Sequence, residues 1–312
     1  MRKVITAPAF LLVFLIALPY GLAGWGEREL TDQERASKAP GKTLAIEAGT
    51  IHYVDRGPQD GPAIVMVHGF STPHFIFEQN AQAMAEAGYR VIQFDHFGRG
   101  WSDRPKADYD IEFYDRELLQ VFDALSLTEP LGLIGLSMGG VISAEFAARH
   151  PGRVSKLALL VPAGLQTSTA PDSLANRLLM TPGVGDWFWR VFGKRILLGR
   201  SDDESVIPAS HRLQGELTQQ YEYKGYFEAL LSSYRHLPLR DRDEAFVRAA
   251  QNGIPMLAIF GDADETIPIA SADQLASIVP EATIEVIKGG THGLNFQMFD
   301  VVNPLLLGFF DR

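Results

Sequence analysis

Two kinds of apolar pattern alternate along this chain. Short, nearly unbroken apolar runs at Ala63–Val67, Tyr89–Phe94, Leu131–Leu136, Val154–Val161, Pro255–Phe260 and Ala282–Ile287 have the length of strands buried on both faces of a parallel sheet. Between them, Phe75–Ala87, Ile111–Leu125, Met138–His150, Asp243–Asn252, Ser271–Ile278 and Asn295–Phe310 carry helical spacing. Upstream, Thr43–Ala48 and Thr50–Asp55 alternate polar and apolar residues and predict an edge hairpin turning at Gly49. Strand following helix at this spacing implies βαβ units with right-handed crossovers. The alternation lapses at Pro162-Ala163-Gly164. From there to Arg240 only helical patterns occur, at Leu174–Met180, Asp186–Leu198 and Gln214–His236. These patterns predict a mostly parallel eight-stranded α/β domain over residues 43–312, flanked by helices and interrupted by a helical cap at 164–240.

The first 26 residues follow another logic. Arg2 and Lys3 precede an uncharged run from Val4 to Gly26 that, as a helix, would reach roughly 30 Å, the thickness of a bilayer core. One reading is a membrane anchor, favoured by a length beyond the ~7–15 apolar residues of a signal core. The other is a cleaved secretory signal, with Gly21-Leu22-Ala23 supplying small residues for the cut. Either leaves Arg2 and Lys3 in the cytoplasm and sends the domain to the periplasmic or extracytoplasmic side, anchored or free. Residues 27–42 read as a juxtamembrane helix or linker.

Composition narrows the chemistry. The 312-residue chain has a net charge of -10 and no Lys/Arg stripe, which argues against nucleic acid as a partner. It has no cysteine, which excludes disulfides, thiolate catalysis and Cys-rich zinc sites. No metal and no cofactor is expected, and a homo-oligomer stays open.

The stretch Leu133-Ile134-Gly135-Leu136-Ser137-Met138-Gly139-Gly140 is a buried strand turning sharply into a helix around a serine, and its glycines allow the turn and the close packing. A serine there needs a base, an orienting acid and donors for an oxyanion. The acid candidate is Asp264, just past the carboxyl end of Pro255–Phe260, where side chains of an open α/β sheet reach the ligand crevice. Asp262 is its rival and Glu265 a weaker one. The base candidate is His292, on the glycine-rich loop between the last strand and the last helix. The oxyanion donors expected are the backbone N–H groups of Met138, at a helix start, and of Phe70, in the loop after Ala63–Val67. His68 reads as a brace for that loop. His74 and His96 are near the same mouth. His52, His150, His211 and His236 read as core or surface residues.

Together, His68-Gly69-Phe70, Asp95-His96-Phe97-Gly98-Arg99-Gly100-Trp101-Ser102, Gly135-Leu136-Ser137-Met138-Gly139-Gly140, Gly261 with Asp264 and Pro268, and Gly290-Thr291-His292 resemble the α/β-hydrolase superfamily over nearly all of 43–312. The resemblance implies an α/β-hydrolase fold and a serine hydrolase that forms an acyl-enzyme on Ser137. The Ser-Met-Gly-Gly version is similar to that of monoacylglycerol lipases and membrane-anchored bacterial lipases. It also resembles hydrolases that cleave carbon–carbon bonds of ring-fission products. An inactive hydrolase fold used for binding would lack a triad member, and none is missing here. In the cap, Trp187-Phe188-Trp189 places aromatic rings in three directions, so at least one is expected to line a pocket or meet a membrane. His74, Trp187, Phe188 and Trp189 are therefore the substrate-binding candidates. The expected substrate is an acyl ester, such as monoacylglycerol or lysophospholipid, met at a membrane through residues 4–26.

Overall fold

The computed structural model describes residues 7–166, 173–201 and 214–311. Helices α1 (Ala7–Ala23) and α2 (Asp32–Lys38) precede strands β1 (Lys42–Ile46), β2 (Gly49–Arg56) and β3 (Ala63–Val67). A 3₁₀ turn at His74–Phe77 leads into α3 (Glu78–Glu86), then β4 (Arg90–Phe94), α4 (Ile111–Ala124), β5 (Leu131–Leu136), α5 (Met138–Arg149) and β6 (Val154–Leu160). Helices α6 (Leu174–Met180), α7 (Val184–Ser201), α8 (Gln214–Gln219) and α9 (Tyr226–His236) form the cap. The domain closes with α10 (Asp243–Gln251), β7 (Met256–Gly261), α11 (Ala270–Ile278), β8 (Thr283–Ile287), α12 (Leu294–Gln297) and α13 (Phe299–Phe310).

The eight strands form one sheet in the order β1-β2-β4-β3-β5-β6-β7-β8. Only β1/β2 and β2/β4 pair antiparallel, so the sheet is mostly parallel, as the continuous apolar runs require. Every residue of β5 is buried. β3 lies beside β5 with Val67 opposite Gly135, yet its next connection runs the other way, to β4. That reversal opens a crevice at the carboxyl ends of β3 and β5, where open α/β sheets bind ligands. The ends of the cap segment meet at its stem: Gly164 N–H donates to Leu239 C=O at 2.9 Å, and Arg242 N–H to Gly164 C=O at 2.7 Å.

Local pattern misplaced several boundaries. The helix expected over Gln214–His236 breaks at Gly225, whose φ of +86° is left-handed, and Tyr223 instead forms a β-bridge with Arg28. The helix expected over Phe75–Ala87 starts as the 3₁₀ turn, and the last helix is interrupted at Met298. Residues 27–42 are stitched to the domain. Thr31 caps α2 by accepting the Glu34 N–H, and the buried Arg35 donates to Trp101 C=O at 2.7 Å and pairs with Asp32 and Asp103. The run expected to reach across a bilayer is represented by the 17-residue α1, about 25 Å long. Among the described residues no helix is long and apolar enough to cross a membrane. Residues 4–6 and His211 lie outside the described residues.

Candidate active site

Ser137 sits between β5 and α5 with φ 52° and ψ -116°, a region that type II′ turns reserve for glycine. The strain is carried by the serine itself, and the neighbouring glycines provide room. A Cβ on Gly135 would lie 2.4 Å from Gly139 C=O, and one on Gly139 would lie 2.0 Å from Val67 C=O. Two N–H groups hold the turn by donating to Ser137 C=O, Gly140 at 2.8 Å and Ala163 at 2.9 Å.

The three residues expected as a triad converge. His292 Nε2 lies 3.0 Å from Ser137 Oγ, and His292 Nδ1 lies 2.8 Å from Asp264 Oδ2. Asp264 Oδ1 accepts the N–H groups of Thr266 at 2.7 Å and Ile267 at 2.9 Å, which fixes the carboxylate plane. The rival Asp262 instead accepts the Gly289 N–H at 2.5 Å and ties its own loop to the histidine loop. Those loops touch backbone to backbone, since a Cβ on Gly261 would fall 2.1 Å from Gly290 C=O. Asp264 and His292 therefore ride on one rigid corner at the ends of β7 and β8. A serine hydroxyl, an imidazole and a carboxylate in this order can move a proton off Oγ as it attacks an electrophilic carbonyl carbon.

Beside Ser137 lies the loop after β3. A Cβ on Gly69 would come within 3.4 Å of Ser137 Cβ. His68, fully buried, lies with Nδ1 2.8 Å from Gly69 C=O and accepts the His96 N–H on Nε2 at 3.0 Å. With Nε2 accepting, Nδ1 carries the proton and donates to that carbonyl. In a trans peptide the N–H opposes the C=O, so pinning Gly69 C=O fixes the direction of the Phe70 N–H. Burial first, then the neighbouring His96, holds His68 well below the ordinary imidazole range, so it stays neutral in this role. Met138 opens α5, where the first N–H groups have no intrahelical acceptor.

Two buried ionisable residues received no role from the sequence. Arg99 has no exposed surface, and its guanidinium donates to Phe70 C=O at 3.0 Å, Phe97 C=O at 3.3 Å and Ser233 Oγ of α9 at 2.8 Å. It joins the loop after β3 to the cap. The only local signal was a charge squeezed between Gly98 and Gly100. Glu117 lies on the apolar face of α4, accepts the Phe97 N–H at 2.6 Å and pairs with His96 Nδ1. Burial pushes Glu117 up to about 8, against the opposing pull of the Phe97 N–H and Arg99, and holds His96 well below its ordinary range.

This shift has a sign. Between the unfolded value of 4.5 and about 8, the folded protein keeps a proton that the unfolded chain has lost, so stability falls as pH rises. Glu117→Gln keeps one acceptor and one donor without titrating. We expect wild type to lose stability relative to this variant by on the order of 1 kcal/mol per pH unit across that window, measured by urea unfolding at pH 5 and pH 8. Parallel pH profiles would contradict a neutral Glu117.

The substrate candidates divide. His74 is buried, with its N–H and Nδ1 both on Asp95 Oδ1, and it lines a small cavity with Trp101, Gln220 and Tyr223. Trp189 donates to Phe227 C=O at 2.7 Å and packs with Phe70 on the small cap core of Leu197, Tyr221, Tyr226, Phe227 and Leu230. Trp187 faces the other way, donating to Ile16 C=O of α1 at 2.8 Å, and Phe188 stacks on Phe192. The described group most like a set of metal ligands is His52, His74 and Asp95, with candidate atoms within 4.8 Å. Each Asp95 oxygen already accepts two hydrogen bonds, from His74 N–H and Nδ1 and from His52 Nδ1 and Trp101 N–H. Burial alone would raise Asp95, but the two histidines outweigh it and hold it well below the ordinary carboxylate range.

The chain is similar to a non-heme chloroperoxidase of Streptomyces lividans, 27% identical over 86% of this chain and 98% of that protein. It is also similar to Lipase 1 of Psychrobacter immobilis, 26% identical over 80% of this chain and 78% of that one. Its fold matches the crystal structure of a membrane phospholipase A described as a bacterial virulence factor, with a TM-score of 0.67, 22% identity, and 97% of this chain and 91% of that one covered. The family model for the alpha/beta hydrolase fold matches residues 62–297. That match spans well over half of the sequence, so the chain belongs to the α/β-hydrolase family and is an enzyme of the hydrolase type.

Proposed function

We propose that this enzyme hydrolyses carboxylic esters through an acyl-enzyme on Ser137, and that its substrates are lipid esters such as monoacylglycerol or lysophospholipid. The observation that carries the reading is the 3.0 Å approach of His292 Nε2 to Ser137 Oγ, with Asp264 on the opposite ring nitrogen. His292 takes the Oγ proton as Oγ attacks the ester carbonyl. The Phe70 and Met138 N–H groups receive the developing oxyanion. His292 then protonates the departing alcohol. Water, deprotonated by the same imidazole, releases the acid and restores Ser137.

The lipid part of the proposal is supported by the aromatic cap, whose core touches Phe70, and by the apolar segment at residues 4–26. It places the catalytic domain on the extracytoplasmic side, held at the membrane. A panel of acyl esters, glycerides, lysophospholipids and ring-fission ketones, assayed on wild type and Ser137→Ala, tests it. We expect turnover of medium-chain and long-chain esters by wild type only. Equal turnover by both proteins would sink the mechanism, and turnover of the ketones alone would replace ester hydrolysis with carbon–carbon cleavage.

A further inference from the structure

Helix α1 does not stand clear of the domain as a simple tether would. It lies along α7, where Trp187 reaches Ile16 C=O at 2.8 Å and, one turn on, Arg190 pairs with Glu27 at 2.9 Å. No charged residue occurs from Val4 to Gly26, so α1 is apolar on every side, and over Phe14–Ala23 only Pro19 and Ala23 are partly covered. Phe14, Leu15 and Leu22 are more than half exposed, and Trp25 is 84% exposed. A helix that is apolar all round and packed on one side needs an apolar medium on the others. The cap continues the same character with exposed Met180 on α6 and Val184, Phe192 and Ile196 on α7.

Depth can be read from the contact. Ile16 lies seven residues before Ala23, where α1 ends, about 10 Å along the helix and a third of the thickness of a bilayer core. An upright α1 would therefore carry the Trp187 end of α7 about that far into the hydrocarbon, with Arg190 held nearer the surface by Glu27. Lys194 and Arg195 are exposed on α7 beyond Arg190, and charge within the hydrocarbon is costly. An inclined α1 keeps the apolar edges among the acyl chains and the two cations at the level of the headgroups.

We propose that α1 and the outer edge of cap helices α6 and α7 form one docking face for an anionic lipid surface, with the cap itself seated in the leaflet. The proposal concerns where the enzyme sits. It rests on the lipid-ester reading only for its consequence that substrate arrives on the cap side.

Because the chain has no cysteine, one introduced cysteine gives a unique label. The full chain carrying Phe192→Cys, or Glu281→Cys on the exposed β7–β8 side as control, is labelled with an environment-sensitive fluorophore. Each is mixed with phosphatidylglycerol vesicles containing spin-labelled lipid. We expect the label at 192 to shift to the blue and be quenched, and the label at 281 to stay aqueous. Lys194→Gln with Arg195→Gln should weaken vesicle binding on the order of tenfold, with turnover of a short soluble ester unchanged. Vesicle binding with an aqueous label at 192 would show a tethered, free-standing cap and overturn the proposal, as would no vesicle binding at all. None of these readouts needs lipid turnover, so failure of the substrate reading would register separately, in the ester panel.

Discussion

Ser137→Ala and Ser137→Gly should both lose at least ~10³-fold in kcat/KM on an acyl ester, yet differ in stability. Without Oγ, the base at His292 has no proton to take and no acyl-enzyme forms. The two variants part company over the backbone. At φ 52° and ψ -116°, alanine inherits the strain that serine bears, whereas glycine adopts this region freely. The strain of such a residue is on the order of 1–3 kcal/mol. Glycine also gives the unfolded chain more freedom, which offsets part of the gain. The expected result is a Gly variant more stable than the Ala variant by about 1 kcal/mol in urea unfolding, with neither active. An Ala variant as stable as the Gly variant would mean that the turn is unstrained. Retained activity in either would remove Ser137 from the mechanism.

This serine was visible from sequence because its setting is local. A six-residue apolar run, two close-packing glycines and a helix start are all readable within one stretch, and β5 occupies Leu131–Leu136 as its pattern predicts. The convergence of Asp264 and His292 on Ser137 was legible for a related reason, since each follows a strand of an ordered α/β alternation. What stayed hidden depends on distant partners. Nothing near Arg35 announces that it will be buried against Trp101 C=O and Asp103, so the segment before β1 reads only as a juxtamembrane helix or linker. Arg99 and Glu117 break the rule that ionisable side chains stay outside, and only the folded contacts with Phe70, Ser233, Phe97 and His96 explain them. The break before α9 had one signal, Gly225. Its use is tertiary: it lets Gln220 donate to Ser71 C=O at 2.8 Å and accept the Gly100 N–H at 3.0 Å. The cap is thereby bonded to the loop that follows Phe70.

The second large effect separates the two aspartates that sequence left in competition. Asp264→Asn should lower kcat by about 10⁴-fold, while Asp262→Asn should stay within a few fold of wild type. Asp264 meets three donors, the N–H groups of Thr266 and Ile267 on Oδ1 and the ring N–H of His292 on Oδ2. An asparagine can satisfy the two backbone donors only with its oxygen toward them. Its NH₂ then faces His292 Nδ1, which must become an acceptor. The ring proton moves to Nε2, the atom 3.0 Å from Ser137 Oγ, and a protonated Nε2 cannot take the serine proton. Flipping the amide restores the histidine tautomer but turns NH₂ against two N–H groups, which the buried site disfavours. Both orientations fail, one through catalysis and one through packing of donors against donors. Asp262 holds a loop through the Gly289 N–H, and an asparagine oxygen can accept that bond unchanged. Steady-state kinetics of the two variants on one ester, with unfolding curves to show that both are folded, decide the assignment. Equal losses would mean that either carboxylate can orient the base, and a larger loss at Asp262 would reverse the roles.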